Sequence, residues 1–190
     1  MLLSTYVLND YVSLTRRLVM REFIVRPIVE EDALQVSDIG GKNFSSMKDE
    51  VKASHWVLCK ILSYPVANYF VAACGDEVGG YILWTEHGGF RQEAVVELEQ
   101  IAVNPNLQGN GIGLQLILQS FWLLKEYFES RGSVIKVVMV TTNAKNEAQK
   151  LYIKAFEQLG FFVSQKLVVL DMYRDDELML VFKKPVVRPG

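Results

Sequence analysis

The chain is poor in the residues that most quickly reveal a chemistry. Of 190 residues only two are cysteine and two are histidine. Cys59 and Cys74 stand apart, without metal-binding or redox spacing, which argues against a zinc module or a disulfide scaffold. Both are expected to be reduced, mostly buried thiols of a cytoplasmic protein. His55 and His87 also lack a ligand spacing, so they read as structural or incidental, and no metal is expected. Excess charge is missing as well. The 20 Lys+Arg and 22 Asp+Glu leave a net charge of −2, which gives no electrostatic reason to expect nucleic acid or an anionic membrane as partner. No apolar run approaches the ~20 residues that a membrane helix needs. Repeats and linkers are absent too.

What remains is the profile of a soluble globular protein, 50% hydrophobic and 22% charged, with a length that suits one domain. Residues 1–19 lack the apolar core and cleavage site of a signal peptide. They read as an extension, an upstream start or a short helix packed on a domain over 20–190.

Along the chain, Phe23–Arg26 reads as a strand, and the acids Glu30, Glu31 and Asp32 open a helix that Gly40-Gly41 should stop. A second helix over Met47–Leu62 would turn Val51, Trp56, Leu58, Ile61 and Leu62 to the core. Strands over 69–74, 78–86 and 93–103 form an antiparallel meander. The helix Leu114–Phe128 carries an apolar face of Leu114, Ile117, Leu118, Phe121, Leu124 and Phe128. A buried strand over Lys136–Thr142, a helix over Ala144–Leu159 and strands over 161–170 and 178–183 complete the order β-α-α-β-β-β-α-β-α-β-β. This is an α+β chain: a mixed, mostly antiparallel sheet of six to seven strands with helices on both faces.

The most informative stretch is Gln108-Gly109-Asn110-Gly111-Ile112-Gly113, set between a strand pattern and a helix pattern. Alternate glycines bare the backbone N–H groups of a turn, and the following helix adds its positive dipole end. Such a turn suits a pyrophosphate and hence a nucleotide-bearing cofactor. The spacing is not G-x-G-x-x-G, no acid ends the next strand, and no Gly-Lys-Ser/Thr follows, so a dinucleotide fold and a P-loop are both excluded.

From Ile101 to Gly113 the chain reads Ile-Ala-Val-Asn-Pro-Asn-Leu-Gln-Gly-Asn-Gly-Ile-Gly. This resembles the acetyl-CoA signature of the GNAT (general N-acetyltransferase) superfamily, and the resemblance extends over about residues 22–184. It implies a GNAT fold and acetyl transfer from acetyl-CoA to a primary amine, borne by a small molecule or a peptide. The alternative is a non-catalytic acyl-CoA-binding sensor on the same fold. A homodimer through the last strands is a further implication. The turn Gln108, Gly109, Asn110, Gly111, Ile112 and Gly113 would hold the pyrophosphate, and Ile101, Ala102 and Val103 would lie along the pantetheine arm. Gln108 departs from the arginine common at its position and loses a charge.

Catalysis of this kind needs a base for the amine and an acid for the leaving thiolate. Glu97 and Glu99, two apart on one strand, share a face and are the candidate bases, unless they form a solvated strand face. Glu86 on the preceding strand could line the acceptor cleft. The candidate acid is Tyr152, by the Thr141-Thr142-Asn143…Ala148…Leu151-Tyr152 pattern of the family. Counting back from Gly160-Phe161 instead puts Phe156 in that slot, one helical turn further on. Asn143 reads either as a cofactor contact or as a helix N-cap. Trp56, Tyr64, Tyr69, Tyr81 and Trp84 either wall an acceptor cleft or fill the core. The acidic run Asp175-Asp176-Glu177 reads as a solvated turn.

Overall fold

Alternation along the strands and helical periodicity produce a three-layer arrangement. A computed structural model describes residues 22–173 and 175–185, so the expectation for residues 1–19 lies outside it. The strands are β1 (Ile24–Pro27), β2 (Ala67–Cys74), β3 (Glu77–His87), β4 (Glu93–Val103), β5 (Val134–Asn143), β6 (Phe162–Val169) and β7 (Glu177–Lys183). They form one open sheet in the order β1-β2-β3-β4-β5-β7-β6, antiparallel throughout except for the β4–β5 pair. The helices are α1 (Ala33–Asn43), α2 (Glu50–Leu62), α3 (Ile112–Ser130) and α4 (Gln149–Gln158). The element order matches the sequence reading.

Two cores result, one on each face. Under α3 and α4 lie Val96, Leu98, Ile117, Phe121, Val138 and Phe182. Under α1 and α2 lie Val36, Ile39, Val57, Val71, Tyr81 and Leu83. Strands β2 and β3 are covered on both faces, so they read as continuous apolar runs. Among the described residues no helix is long and apolar enough to cross a membrane.

Several expectations need correction. Gly40-Gly41 does not stop α1, which continues to Asn43. A Cβ on Gly40 would come within 2.6 Å of Met47 Cε and 3.0 Å of Tyr81 Oη, so that glycine serves close packing. On α2 the buried residues are Ala53 and Val57, while Val51, Trp56 and Leu62 are 80%, 46% and 84% exposed. The helix meets the sheet through Ala53 and Val57, with Leu58 and Ile61 packed at the edge of that core as expected, while Val51, Trp56 and Leu62 turn outward. Cys59 shares that outward side and is exposed, against the expectation of a buried thiol. Tyr69, Tyr81 and Trp84 are core residues, whereas Trp56 and Tyr64 are exposed.

Helix α4 begins at Gln149 rather than Ala144. Asn143 Oδ1 accepts from the Lys145 N–H and Asn146 Oδ1 accepts from the Ala148 N–H, both at 2.9 Å. These two side-chain turns fill the space before the helix, so Asn143 opens a turn and is not a helix cap.

At the start of α1, Arg26 donates twice to Asp32, at 2.6 and 3.0 Å, and the Val29 N–H donates to the same carboxylate at 2.9 Å. Burial pushes the Asp32 carboxyl up, but Arg26 and the backbone donor outweigh it and hold it below the ordinary carboxylate value. A lowered folded-state value stabilises the fold above the unfolded value, near pH ~4, and that contribution disappears as the pH falls through the folded value. Thermal melts on the acid side should therefore fall with pH in the wild type and be flatter in Asp32→Asn. Parallel curves for the two proteins would remove Asp32 from the acid limb.

Candidate active site

The site begins where the sheet divides. Strands β4 and β5 run side by side from the Glu93–Val134 pair to the Leu98–Val140 pair and then part. Beyond that point β4 pairs only with β3, and β5 only with β7. The Asn104 N–H reaches Gly79 O on the β3 side. Backbone groups alternate in direction along a strand, so those of Ile101 and Val103 point into the gap. Among the described residues no strand meets them there. Val103 O instead takes side-chain donors, Asn43 Nδ2 at 3.3 Å and Gln108 Nε2 at 3.2 Å.

A bulge in β4 shapes the other side. Leu83 pairs with Gln100 and Trp84 with Leu98, which leaves Glu99 as the extra residue. Glu97 and Glu99 share the α1–α2 face, as expected, but the alternation breaks after them. Ile101 and Val103 pack against the α3 core instead. Glu99 Oε2 is 2.7 Å from Lys60 Nζ on α2 and also accepts from the Thr85 hydroxyl. Glu97 Oε2 lies 2.7 Å from His87 Nε2, and its Oε1 accepts from Thr141 at 3.2 Å. The side chains of Glu97 and Glu99 are 21% and 24% exposed, so both carboxylates are reachable from solvent.

Next to this cluster lies a cavity of about 260 Å³, lined by Met47, Ala53, Trp56 and Gln100 among others. The Tyr69 hydroxyl is buried without a hydrogen-bond partner, and desolvation, with smaller repulsion from Tyr81 and Glu99, raises it well above the usual phenol range. Sequence reasoning missed Lys60, Thr85 and Thr141 and set His87 aside. Thr85 and His87 were in principle legible, because they lie opposite Glu97 and Val95 in the β3–β4 register. Lys60 was not, because only the tertiary packing of α2 brings it to the sheet.

The turn after β4 has the expected shape. Gly109 and Gly111 take φ of 80° and 82°, a left-handed conformation that glycine adopts without strain. Gly111 caps α3 by its backbone alone, with no side chain over the helix start. The first N–H groups of α3 thus face outward as an electropositive cradle. Gly113 has a different role, since a Cβ there would lie 3.3 Å from Leu151 of α4. The Gln108 side chain does not reach over the cradle. It donates to Asn43 Oδ1 at 3.2 Å and ties the end of α1 to the turn.

On the α3–α4 face, Tyr152 is buried beside Thr142, just past the point where β5 leaves β4. Phe156, one turn on, has no exposure and is enclosed by Trp84, Phe161 and Phe182 at 6.3, 6.3 and 4.5 Å between ring centroids. It presents no atom to the gap. Glu86 does not line the carboxylate cleft either. It turns to the end of α3, where Arg131 binds it through Nη1 and Nη2 at 2.9 and 2.6 Å. Among the described residues no cluster of three or more His, Cys, Asp or Glu suits a metal.

The sheet thus parts beside a glycine turn that leaves a helix start without a side-chain cap, with paired carboxylates on the opposite face. The acetyltransferase (GNAT) family model matches residues 37–161, and the chain belongs to that family. The fold is similar to an aminoglycoside 6'-N-acetyltransferase complexed with coenzyme A, with a TM-score of 0.59 at 17% identity over 88% of this chain and 99% of that one. It is similar to a ribosomal-protein-alanine N-acetyltransferase from Brucella melitensis, with a TM-score of 0.59 at 21% identity over 86% and 99%. YncA of Salmonella typhimurium, solved with its cofactor acetyl-CoA, gives 0.59 at 18% over 89% and 97%. Among curated proteins none matches the chain.

Proposed function

We propose that this chain transfers the acetyl group of acetyl-CoA to a primary amine by direct attack on the thioester. The observation that carries this reading is the parting of β4 from β5 beside the Gln108–Gly113 turn. The backbone groups of Ile101 and the Val103 N–H, which no strand meets among the described residues, suit the amide-bearing pantetheine arm, and the α3 start suits the pyrophosphate. Holding thioester and amine together supplies much of the rate.

In this reading Glu99 takes the proton of the attacking amine, with Glu97 as the second carboxylate of the cleft. Oε2 of Glu99 already accepts two donors. An acceptor amine takes the place of the Lys60 ammonium beside that oxygen. Tyr152 protonates the departing thiolate. Two carboxylates in one cleft favour an amine that arrives as a cation.

Calorimetry with acetyl-CoA, followed by thiol release against a panel of amines, tests the reading. Binding together with amine-dependent thiol release is the expected result, and no binding would overturn it. Gly111→Val isolates the cradle. Its Cβ would meet nothing within 4 Å, so the penalty is conformational, at least the roughly 1–2 kcal/mol of a left-handed L-residue. Acetyl-CoA affinity should fall by about tenfold or more. Undiminished binding would sink the assignment of the turn.

A further inference from the structure

We propose that Lys60 is itself an acyl acceptor, and that the protein moves one acetyl group from acetyl-CoA to Lys60 Nζ within the same chain. The inference rests on the reading of the site given above and assigns a modification site to it.

An amine under attack by a general base must lie about 2.6–3.2 Å from the basic atom. Lys60 Nζ already lies 2.7 Å from Glu99 Oε2. The fold has placed a primary amine where an acceptor amine is needed. The pair is not an ordinary surface contact. The Lys60 and Glu99 side chains are only 20% and 24% exposed, and the ammonium lies 5.0 Å from the centroid of the Trp56 ring. Thr85 donates to the same carboxylate oxygen and fixes its direction. Any cationic acceptor must displace Lys60 from Oε2, and until one does, the Lys60 amine holds the position beside the base.

The step balances. Glu99 removes one proton from the Lys60 ammonium, and the freed lone pair forms a C–N bond to the thioester carbon. The C–S bond breaks, its electron pair stays on sulfur, the thiolate takes a proton from Tyr152, and the proton held by Glu99 restores Tyr152 through solvent. The second nitrogen proton returns to solvent, which leaves a neutral amide and free thiol. The amide can no longer form an ion pair. Glu99 then loses its internal counter-ion, and a cationic acceptor no longer has to compete for Oε2. Modification would therefore lower the KM for such acceptors.

The test uses the full chain with acetyl-CoA alone, followed by intact mass and peptide mapping. Acetyl-CoA binding and thiol release to the amine panel are measured on the same preparation. One acetyl group on Lys60 is expected, with a rate constant that does not change on dilution and that drops sharply in Glu99→Gln. Lys52 and Lys150, with side chains 84% and 83% exposed, report uncatalysed acetylation. If amines are acetylated while Lys60 is modified no faster than Lys52 and Lys150, the inference is overturned and the functional reading stands. A rate that rises with protein concentration overturns transfer within one chain. Failure to bind acetyl-CoA removes the functional reading, and this inference with it.

Discussion

Tyr152→Phe should lower kcat by about 10²-fold or more while leaving acetyl-CoA affinity nearly unchanged. The phenol lies beside Thr142 at the mouth of the gap between β4 and β5. Burial pushes it above its ordinary value, and the hydrogen bond with Thr142 only partly opposes this. A raised value keeps the proton on Tyr152 throughout the neutral range, so it stays available for a thiolate. Ionisation of Tyr152 would limit the rate only at strongly alkaline pH. The companion change, Phe156→Tyr, sets a hydroxyl in an enclosed apolar site among Trp84, Phe161 and Phe182, where the Trp84 N–H is already given to Ser120. It should cost about 1–3 kcal/mol of stability and give no gain in rate. A faster Phe156→Tyr enzyme beside an unimpaired Tyr152→Phe would move the acid to position 156.

The second large effect concerns stability alone. Glu86→Ala should destabilise the fold by about 3–5 kcal/mol, a drop of roughly 10 °C in Tm. The Glu86 side chain is 2% exposed and accepts from Nη1 and Nη2 of Arg131. The Arg131 guanidinium lies against Phe128, Tyr127 and Phe90, at 4.2 to 5.2 Å from their ring centroids. Removing the carboxylate strands that cation among aromatic rings, and Arg131 Nε is already buried without a partner. Denaturant unfolding of Glu86→Ala and of Glu86→Ala with Arg131→Met separates the terms. The double variant should recover much of the loss. A single variant within about 1 kcal/mol of wild type would refute the account.

The glycine turn was legible because backbone conformation leaves a local signature: Gly109 and Gly111 stand where φ is positive. Strand β4 was read to its observed ends, because its alternation is local too. The bulge at Glu99 was not, since it is a property of the pairing with β3 and leaves Glu97-Leu98-Glu99-Gln100 looking like any strand. The face of α2 was read in part: Leu58 and Ile61 do pack on the core, but the buried centre is Ala53 and Val57, and Ala53 carries almost no hydrophobic signal, while the exposed Val51 and Leu62 do. Lys60 and Glu86 were beyond reach for the same reason in opposite directions. Tertiary packing alone brings Lys60 to the carboxylates and takes Glu86 away from them.

The parted sheet also has a mechanical meaning. Only six residue pairs, Glu93–Val134 to Leu98–Val140, join its two parts, and they all lie at one end. The β5–β7 half is thus a lever on a short hinge, and any rotation about that hinge is greatest at the open end. The lever is propped there where Leu151 of α4 comes against Gly113 of α3, close enough that a Cβ would lie 3.3 Å away. A side chain at position 113 would push Leu151 outward by a few tenths of an ångström, against a core in which Trp84 packs on Phe156 and Phe121 on Phe161 across the two halves.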